Sequence, residues 1–297
     1  MKRYICVDIG GTSIKHGVLD ENAIIEESNQ TKTEAWLGGA EVLDKVKAIG
    51  KQYMEQYENI EGICISTAGM VDPEEGKIVF AGELMPDYTG TCIKKELEKT
   101  LGIPCEVEND VNCAGLAEYI SGAAKESHIM FCATVGTGIG GCAIVDGSVF
   151  HGASNSACEI GYIPMEDSDF QTLGASSILI KKVAGKKREP LDMWDGKKIF
   201  ELAEKGDEVC ISAIKEMCDV LGKGLATICY VLNPDTIVLG GGIMAQKKIL
   251  ENEIIDSLKR YLKPILAEHL QVCFAEYGNE AGMVGALYNF QNKCGRK

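Results

Sequence analysis

Two glycine turns, each framed by short apolar strands, constrain this chain more than any other feature. The first follows Tyr4–Ile9, a strand-like run with one acid, Asp8. Gly10-Gly11-Thr12-Ser13 makes the turn, Ile14–Leu19 the next strand, Asp20-Glu21-Asn22 a second turn, and Ala23–Glu26 the start of a third strand. The second glycine turn follows Ser127–Thr134. Val135-Gly136-Thr137-Gly138-Ile139-Gly140-Gly141 leads into Cys142–Val145, Asp146-Gly147 supplies a two-residue hairpin turn, and Ser148–His151 returns. This internal repeat predicts two domains of related design, each opening with a phosphate-gripping hairpin. Glycine lets the backbone approach a ligand, and Thr12 and Ser13 add hydroxyl donors. An ordinary tight hairpin would use the same residues, so the turn alone leaves both readings open. Asp8 weighs toward a ligand: an acid on a buried strand needs a partner, and a metal ion or its water shell would serve.

Gly136, Gly138 and Gly141 also spell the spacing of a dinucleotide fingerprint, which requires a helix next. A β-branched run and Asp146-Gly147 follow instead, so a hairpin is expected and a dehydrogenase is disfavoured. No Walker A lysine motif is present.

Between the repeats, apolar spacing predicts a helix over Glu41–Glu58, a strand over Ile60–Ser66 ending in Thr67-Ala68-Gly69, a turn over Asp72–Gly76, a loop over Gly82–Pro86, and a helix over Ile93–Leu101. Ile103–Val107 then leads into Glu108-Asn109-Asp110-Val111-Asn112-Cys113-Ala114, ahead of a helix-like run from Val111 to Ile120. A carboxylate at such a strand–helix junction can take a proton from an alcohol as its oxygen attacks phosphorus, which makes Asp110 the expected general base. The competing reading makes Asp110 a helix N-cap. Further on, Cys158–Tyr162 precedes a polar loop through Phe170, and residues 175–232 read as mostly helical with a break at Gly185–Pro190. Ile211–Leu232 reads as one long helix stopped by Asn233-Pro234. Thr236–Leu239 is a buried strand, and Gly240-Gly241-Gly242 is expected to open a helix whose free N–H groups suit a nucleotide phosphate or ribose. A helix over Asn252–Tyr261, a strand over Gln271–Phe274 and a small-residue segment over Gly278–Asn289 close the chain.

With 297 residues the chain suffices for two domains, and a net charge of −14 lacks the basic clusters of a nucleic-acid surface. Charge does not argue against ATP, because backbone dipoles hold phosphate inside acidic proteins. Asp8 interrupts the first apolar run, so no signal peptide is expected, and no run reaches the length of a membrane span. The 13 cysteines are scattered without C-x-x-C spacing, and the 4 histidines are dispersed. Reduced thiols in a cytoplasmic protein are expected, and a zinc site is disfavoured.

Together these residues resemble the ROK family of sugar kinases over nearly the whole chain. D-x-G-G-T is Asp8–Thr12, E-N-D-x-N is Glu108–Asn112, G-T-G-I-G-G is Gly136–Gly141, and the adenosine-side glycines are Gly240–Gly242. The resemblance implies an α/β, actin-like (ribonuclease H-like) two-domain fold with a central active-site cleft. It implies ATP-dependent phosphorylation of a sugar hydroxyl, with Mg2+. The expected boundaries are a smaller N-terminal domain over 1–112, onto which a helix over about 284–297 packs back, and a larger domain over 113–283. Asp110 is implied as base, Asn109 and Glu159 as holders of sugar hydroxyls, and Gly69 as lying against the sugar. Thr12 and Thr137 meet phosphate oxygens, in loops shared with Gly10, Gly11, Gly136 and Gly138; Gly241 and Gly242 lie on the nucleotide side.

Two positions depart from the family pattern. G-E-x-G-H reads Cys158-Glu159-Ile160-Gly161-Tyr162, and the C-x-C-G-x-x-G-C zinc loop is replaced by Glu166-Asp167-Ser168-Asp169-Phe170-Gln171. This pattern is similar to the zinc-free β-glucoside kinase branch, whose substrates carry a second group on C1; Tyr162 is then either a sugar-stacking or a packed residue. Glucokinase and N-acetylmannosamine kinase are the sister alternatives, and a catalytically silent sugar sensor is the non-enzyme one. A DNA-binding repressor of this family would carry a helix-turn-helix before the core, whereas this chain starts on the first core strand. Partners are therefore expected to be a sugar and ATP, with a homodimer as a family-level expectation and neither nucleic acid nor membrane.

Overall fold

The computed structural model describes residues 1–295. In chain order the strands are β1 (Arg3–Ile9), β2 (Ser13–Asp20), β3 (Ile25–Lys32), β4 (Ile60–Thr67), β5 (Met70–Asp72), β6 (Lys77–Phe80), β7 (Cys105–Asn109), β8 (Ile129–Val135), β9 (Ile139–Val145), β10 (Ser148–Val149), β11 (Pro164–Met165), β12 (Ser168–Asp169), β13 (Thr236–Gly240) and β14 (Gln271–Phe274). The helices are α1 (Gly39–Gln56), α2 (Ile93–Leu101), α3 (Asp110–Ser121), α4 (Phe170–Gly174), α5 (Ser176–Lys187), α6 (Gly196–Glu204), α7 (Glu208–Leu232), α8 (Lys247–Tyr261), α9 (Pro264–Ala267) and α10 (Ala281–Cys294).

These elements group into two compact units. One comprises Met1–Gly122, Val149–Ala157 and the chain from Asn279; the other comprises Ala123–Ser148 and Cys158–Gly278. The division at 112/113 expected above would cut α3, which instead stays whole with the first unit, as does the 149–157 segment. α10 belongs to the first unit too; it ends at Cys294, and positions 296 and 297 of the helix expected over 284–297 lie outside the described residues.

The first unit is built on a sheet of order β3-β2-β1-β4-β7. β1, β4 and β7 run parallel, and β2 and β3 fold back antiparallel from β1. Ile5, Val7, Ile63, Ile65 and Val107 pack with Val42, Val46 and Tyr53 of α1 into one buried core. The helical spacing of α1 is thus a core stripe, each fully buried aliphatic or aromatic side chain contributing about 1.5–3 kcal/mol. The third strand runs over Ile25–Lys32 instead of starting at Ala23, because Ala23 takes φ 62° in the turn. The predicted turn at Asp72–Gly76 closes a small β5–β6 hairpin.

The second unit repeats the plan with order β10-β9-β8-β13-β14, where β8, β13 and β14 are parallel and β9 is antiparallel to β8. Phe131, Ile237 and Leu239 share a core with Phe170, Leu179 and the buried stripe of α7. That helix starts at Glu208, three residues before the expected Ile211, because Asp207 caps it by accepting the Cys210 N–H. The α-helix expected from Ile243 is a 3-10 turn over Gly242–Gln246, and α8 begins at Lys247, ahead of the expected Asn252. Ser148–Val149 is the extent of β10; the chain leaves the strand before His151. Among the described residues no helix is long and apolar enough to cross a membrane.

Candidate active site

The parallel strands of the first sheet end level with one another. Asp8 pairs with Ser66 and Ser66 with Glu108; one step on, Ile9 pairs with Thr67 and Thr67 with Asn109. The loops leaving these ends bring Gly10, Gly11 and Thr12, then Gly69, then Asp110 to the carboxyl edge of the sheet, where open α/β sheets bind ligands. Gly69 stands at φ 99°, and a Cβ there would meet Phe80 O at 2.9 Å, so the turn is built for glycine.

Asn109, rather than Asp110, is the N-cap of α3. Its Oδ1 accepts the N–H groups of Val111 (2.9 Å) and Asn112 (3.1 Å), while its Nδ2 donates to Gly69 O (2.9 Å) and to Asp110 Oδ1 (3.0 Å). Asp110 Oδ1 also accepts the Val111 N–H at 2.9 Å. Asp110 thus sits on the first turn of a helix, where the positive end of the helix dipole steadies a carboxylate. Beside it the hydroxyls of Thr67 and buried Tyr88 lie 2.7 Å apart; burial pushes the Tyr88 phenol up, and the Asp110 charge adds to the shift.

Glu108 is fully buried, and three donors converge on it. Its Oε1 accepts the Asn109 N–H (2.8 Å) and Asn112 Nδ2 (2.9 Å), and its Oε2 lies 2.8 Å from His151 Nε2. Removing one partner of such a buried charge generally costs about 3–5 kcal/mol.

Asp8, near the end of β1, is a largely buried acid of this unit, its side chain 15% exposed. Ser66 Oγ donates to its Oδ1 at 2.7 Å, and Lys15 Nζ stands 3.7 Å from its Oδ2, beyond hydrogen-bond range. Burial raises the Asp8 carboxyl despite the opposing pull of Ser66 and Lys15. A Cβ on Gly282 of α10 would come within 2.5 Å of the Asp8 Cγ, so that glycine makes room for the carboxylate. A hard oxygen ligand, incompletely compensated by its neighbours, fits a magnesium ion or its water shell.

In the second unit the expected nucleotide residues gather at the ends of β8 and β13, where Thr134 pairs with Gly240. Gly136, Thr137 and Gly138 form a turn closed by the Gly136 N–H to Gly138 O bond at 2.9 Å. Two serines that sequence reasoning missed hold it: Ser176 Oγ donates to Gly136 O (2.6 Å) and Ser177 Oγ to Thr137 O (2.7 Å). The hydroxyl spacing was visible, but nothing local in a helix start tells which distant turn it faces. Gly241 takes φ 96° with its Cα against the Val135 backbone, and Gly242 opens the 3-10 turn. Glu159 precedes the short 3-10 turn Ile160–Tyr162; burial raises its carboxyl. Tyr162, by contrast, is 57% exposed. Among the described residues no three His, Cys, Asp or Glu side chains gather as a metal site.

The first unit therefore assembles Asp8, Gly10, Gly11, Thr12, Gly69, Asn109 and Asp110, and the second assembles Gly136, Thr137, Gly138, Gly241 and Gly242, with Glu159 and Tyr162 on their own turn. Residues 4–293 match the ROK family. This chain belongs to the ROK family. A ROK relative, the β-glucoside kinase of Klebsiella pneumoniae, is 31% identical over 95% of this chain and 94% of its own. An uncharacterized protein of Clostridium perfringens is 45% identical over 98% of each chain. Among solved structures, a ROK family glucokinase from Streptomyces griseus in complex with glucose and AMPPNP superposes with a TM-score of 0.83 at 28% identity, covering 96% of this chain and 98% of its own. The α/β fold is the actin-like fold of the ROK sugar kinases.

Proposed function

We propose that this protein transfers the γ-phosphate of ATP to the 6-hydroxyl of a glucose unit whose C1 carries a β-linked group, as in cellobiose, with Asp110 as general base. At the coarser level it is an ATP-dependent sugar kinase of the ROK family. The observation that carries the finer reading is Asp110 itself. The neighbouring Asn109 is the N-cap of α3, and Asp110 only shares the Val111 N–H with it, so capping alone does not account for the carboxylate at the ligand-binding edge of the sheet.

The roles follow from that placement. Asp110 accepts the proton of the attacking hydroxyl while its oxygen bonds to the γ-phosphorus and the bond to the β-phosphate oxygen breaks, releasing ADP. Asn109 and Glu159 hold sugar hydroxyls, and Gly69 lets the ring lie close to the backbone. Gly10, Gly11 and Thr12, with Gly136, Thr137 and Gly138, offer N–H and hydroxyl donors to phosphate oxygens. Gly241 and Gly242 serve the nucleoside side. Asp8 would hold Mg2+, which neutralises phosphate charge when bound. Zinc has no part in this reading, and a reduced, cytoplasmic protein, as a homodimer, suits it.

β-Glucoside preference is supported by the exposed Tyr162, where other ROK kinases carry histidine, and by the 31% identity to a β-glucoside kinase. An aromatic face in solvent suits a second ring. Initial rates on cellobiose, glucose and N-acetylmannosamine at equal concentration test this. Cellobiose is expected to be used best. Free monosaccharides used far better would refute the C1 argument and leave the kinase reading standing.

A further inference from the structure

Glu108 and His151 form a pair that none of the roles above uses. Glu108 is buried, and the His151 side chain is 25% exposed. His151 is carried by the nine-residue segment Val149–Ala157, which leaves the second sheet's edge strand and joins the first unit. The segment is tied locally, the Ala157 N–H donating to His151 O at 3.1 Å, so the imidazole is held from its own backbone as well.

We infer that His151 is a positioning residue for the phosphoryl acceptor site: through the Glu108 carboxylate it fixes Asn109 and so sets where Asp110 stands. The inference rests on the kinase reading of that site. The chain of contacts is continuous. His151 Nε2 meets Glu108 Oε2 at 2.8 Å, and with the carboxylate ionised the imidazole N–H is the donor. Glu108 Oε1 receives the Asn109 N–H and Asn112 Nδ2 on the two sides of Asp110. Asn109 in turn caps α3 and donates to Asp110 Oδ1. A carboxylate with two oxygens and three donors has a fixed orientation; without His151 its Oε2 loses its charged-group hydrogen bond, and the buried group can gain another only by rotating. Rotation would release Asn109 and Asn112 together. A misplacement of about 1 Å in a reacting group can cost about 10²-fold in rate.

Wild type, His151→Ala, His151→Gln and Glu108→Gln distinguish positioning from bulk stabilisation. His151→Ala is expected to lower kcat about 10- to 100-fold, with KM for ATP little changed. His151→Gln, which keeps an N–H donor of similar reach, should recover most of that loss. Combining His151→Ala with Glu108→Gln should cost little beyond the worse single variant, because both break one chain of contacts. Amide hydrogen exchange supplies a readout independent of activity: Val111 and Asn112 should exchange faster in His151→Ala, while the amides of α1 keep wild-type protection. Normal kcat in His151→Ala, or protection lost evenly across the unit, overturns the inference. An inactive wild type across all sugars refutes the kinase reading instead, and unchanged exchange at Val111 and Asn112 would then still overturn the positioning claim.

Discussion

At the scale of single residues, Glu108 and Asp8, both acids at the carboxyl edge of the first sheet, differ in what surrounds them. Glu108 is saturated by donors from Asn109, Asn112 and His151. Asp8 has one hydroxyl donor and a lysine held off at 3.7 Å, and burial raises its carboxyl. A raised carboxyl holds its proton to higher pH, so its contribution to stability is full below the ordinary aspartate range and fades as the pH rises through its folded-state value. For a metal the sign is reversed, since only the ionised form binds. The Mg2+ concentration giving half-maximal rate should therefore climb as the pH falls through the raised folded-state value of Asp8, and Asp8→Asn should abolish that climb along with most of the activity. A Mg2+ requirement independent of pH would remove Asp8 from the metal's surroundings. Asp8 was legible in the sequence because an acid in an apolar strand demands a partner. Its room was not, because Gly282 lies 274 positions away and only the fold brings it to the Asp8 carboxyl.

At the scale of elements, α3 is positioned from its first turn. Asn109 satisfies two of its N–H groups and ties the helix start to the Gly69 turn. Asn109→Ala should lower unfolding free energy by about 0.5–2 kcal/mol, the usual weight of a polar cap, as read from urea denaturation. Loss below that range would mean that water replaces the cap at no cost. The strand–helix junction was readable from the apolar run followed by polar residues, but Asn109 and Asp110 are both good caps, and which one caps depends on where β7 stops. It runs two residues past the expected Val107, to Asn109, held in register by β4. The Asp146-Gly147 turn was correctly placed, but its return strand ends at Val149, and His151 serves Glu108. The 3-10 turn after Gly241 was likewise hidden, since its sequence is apolar enough for a helix and the left-handed glycine decides the outcome.

At the scale of the molecule, the thirteen cysteines act mainly as small core residues. Cys64, Cys105 and Cys113 are fully buried, and burial pushes each thiol far above its ordinary range. Cys210 is pushed up to about 11 by burial and by Asp207. Thiolates, not thiols, are the reactive form, so native alkylation followed by mass spectrometry should label exposed Cys294 first and spare these four until the protein unfolds. Labelling of Cys64 at the rate of Cys294 would contradict the packed core. The repeated sheet plan was readable from the two glycine turns, and the ROK fold from those turns together with Glu108–Asn112, Cys158–Tyr162 and Gly240–Gly242; the course of the 149–157 segment was not, because no local pattern marks a chain that changes units. The central claim is that the whole molecule works as a sugar kinase through one carboxylate. Its most direct test measures turnover and sugar affinity together for wild type and Asp110→Asn. Turnover should fall by about 10²–10⁴-fold while the calorimetric affinity for the sugar stays close to wild type. Near-normal turnover in the variant would contradict the account.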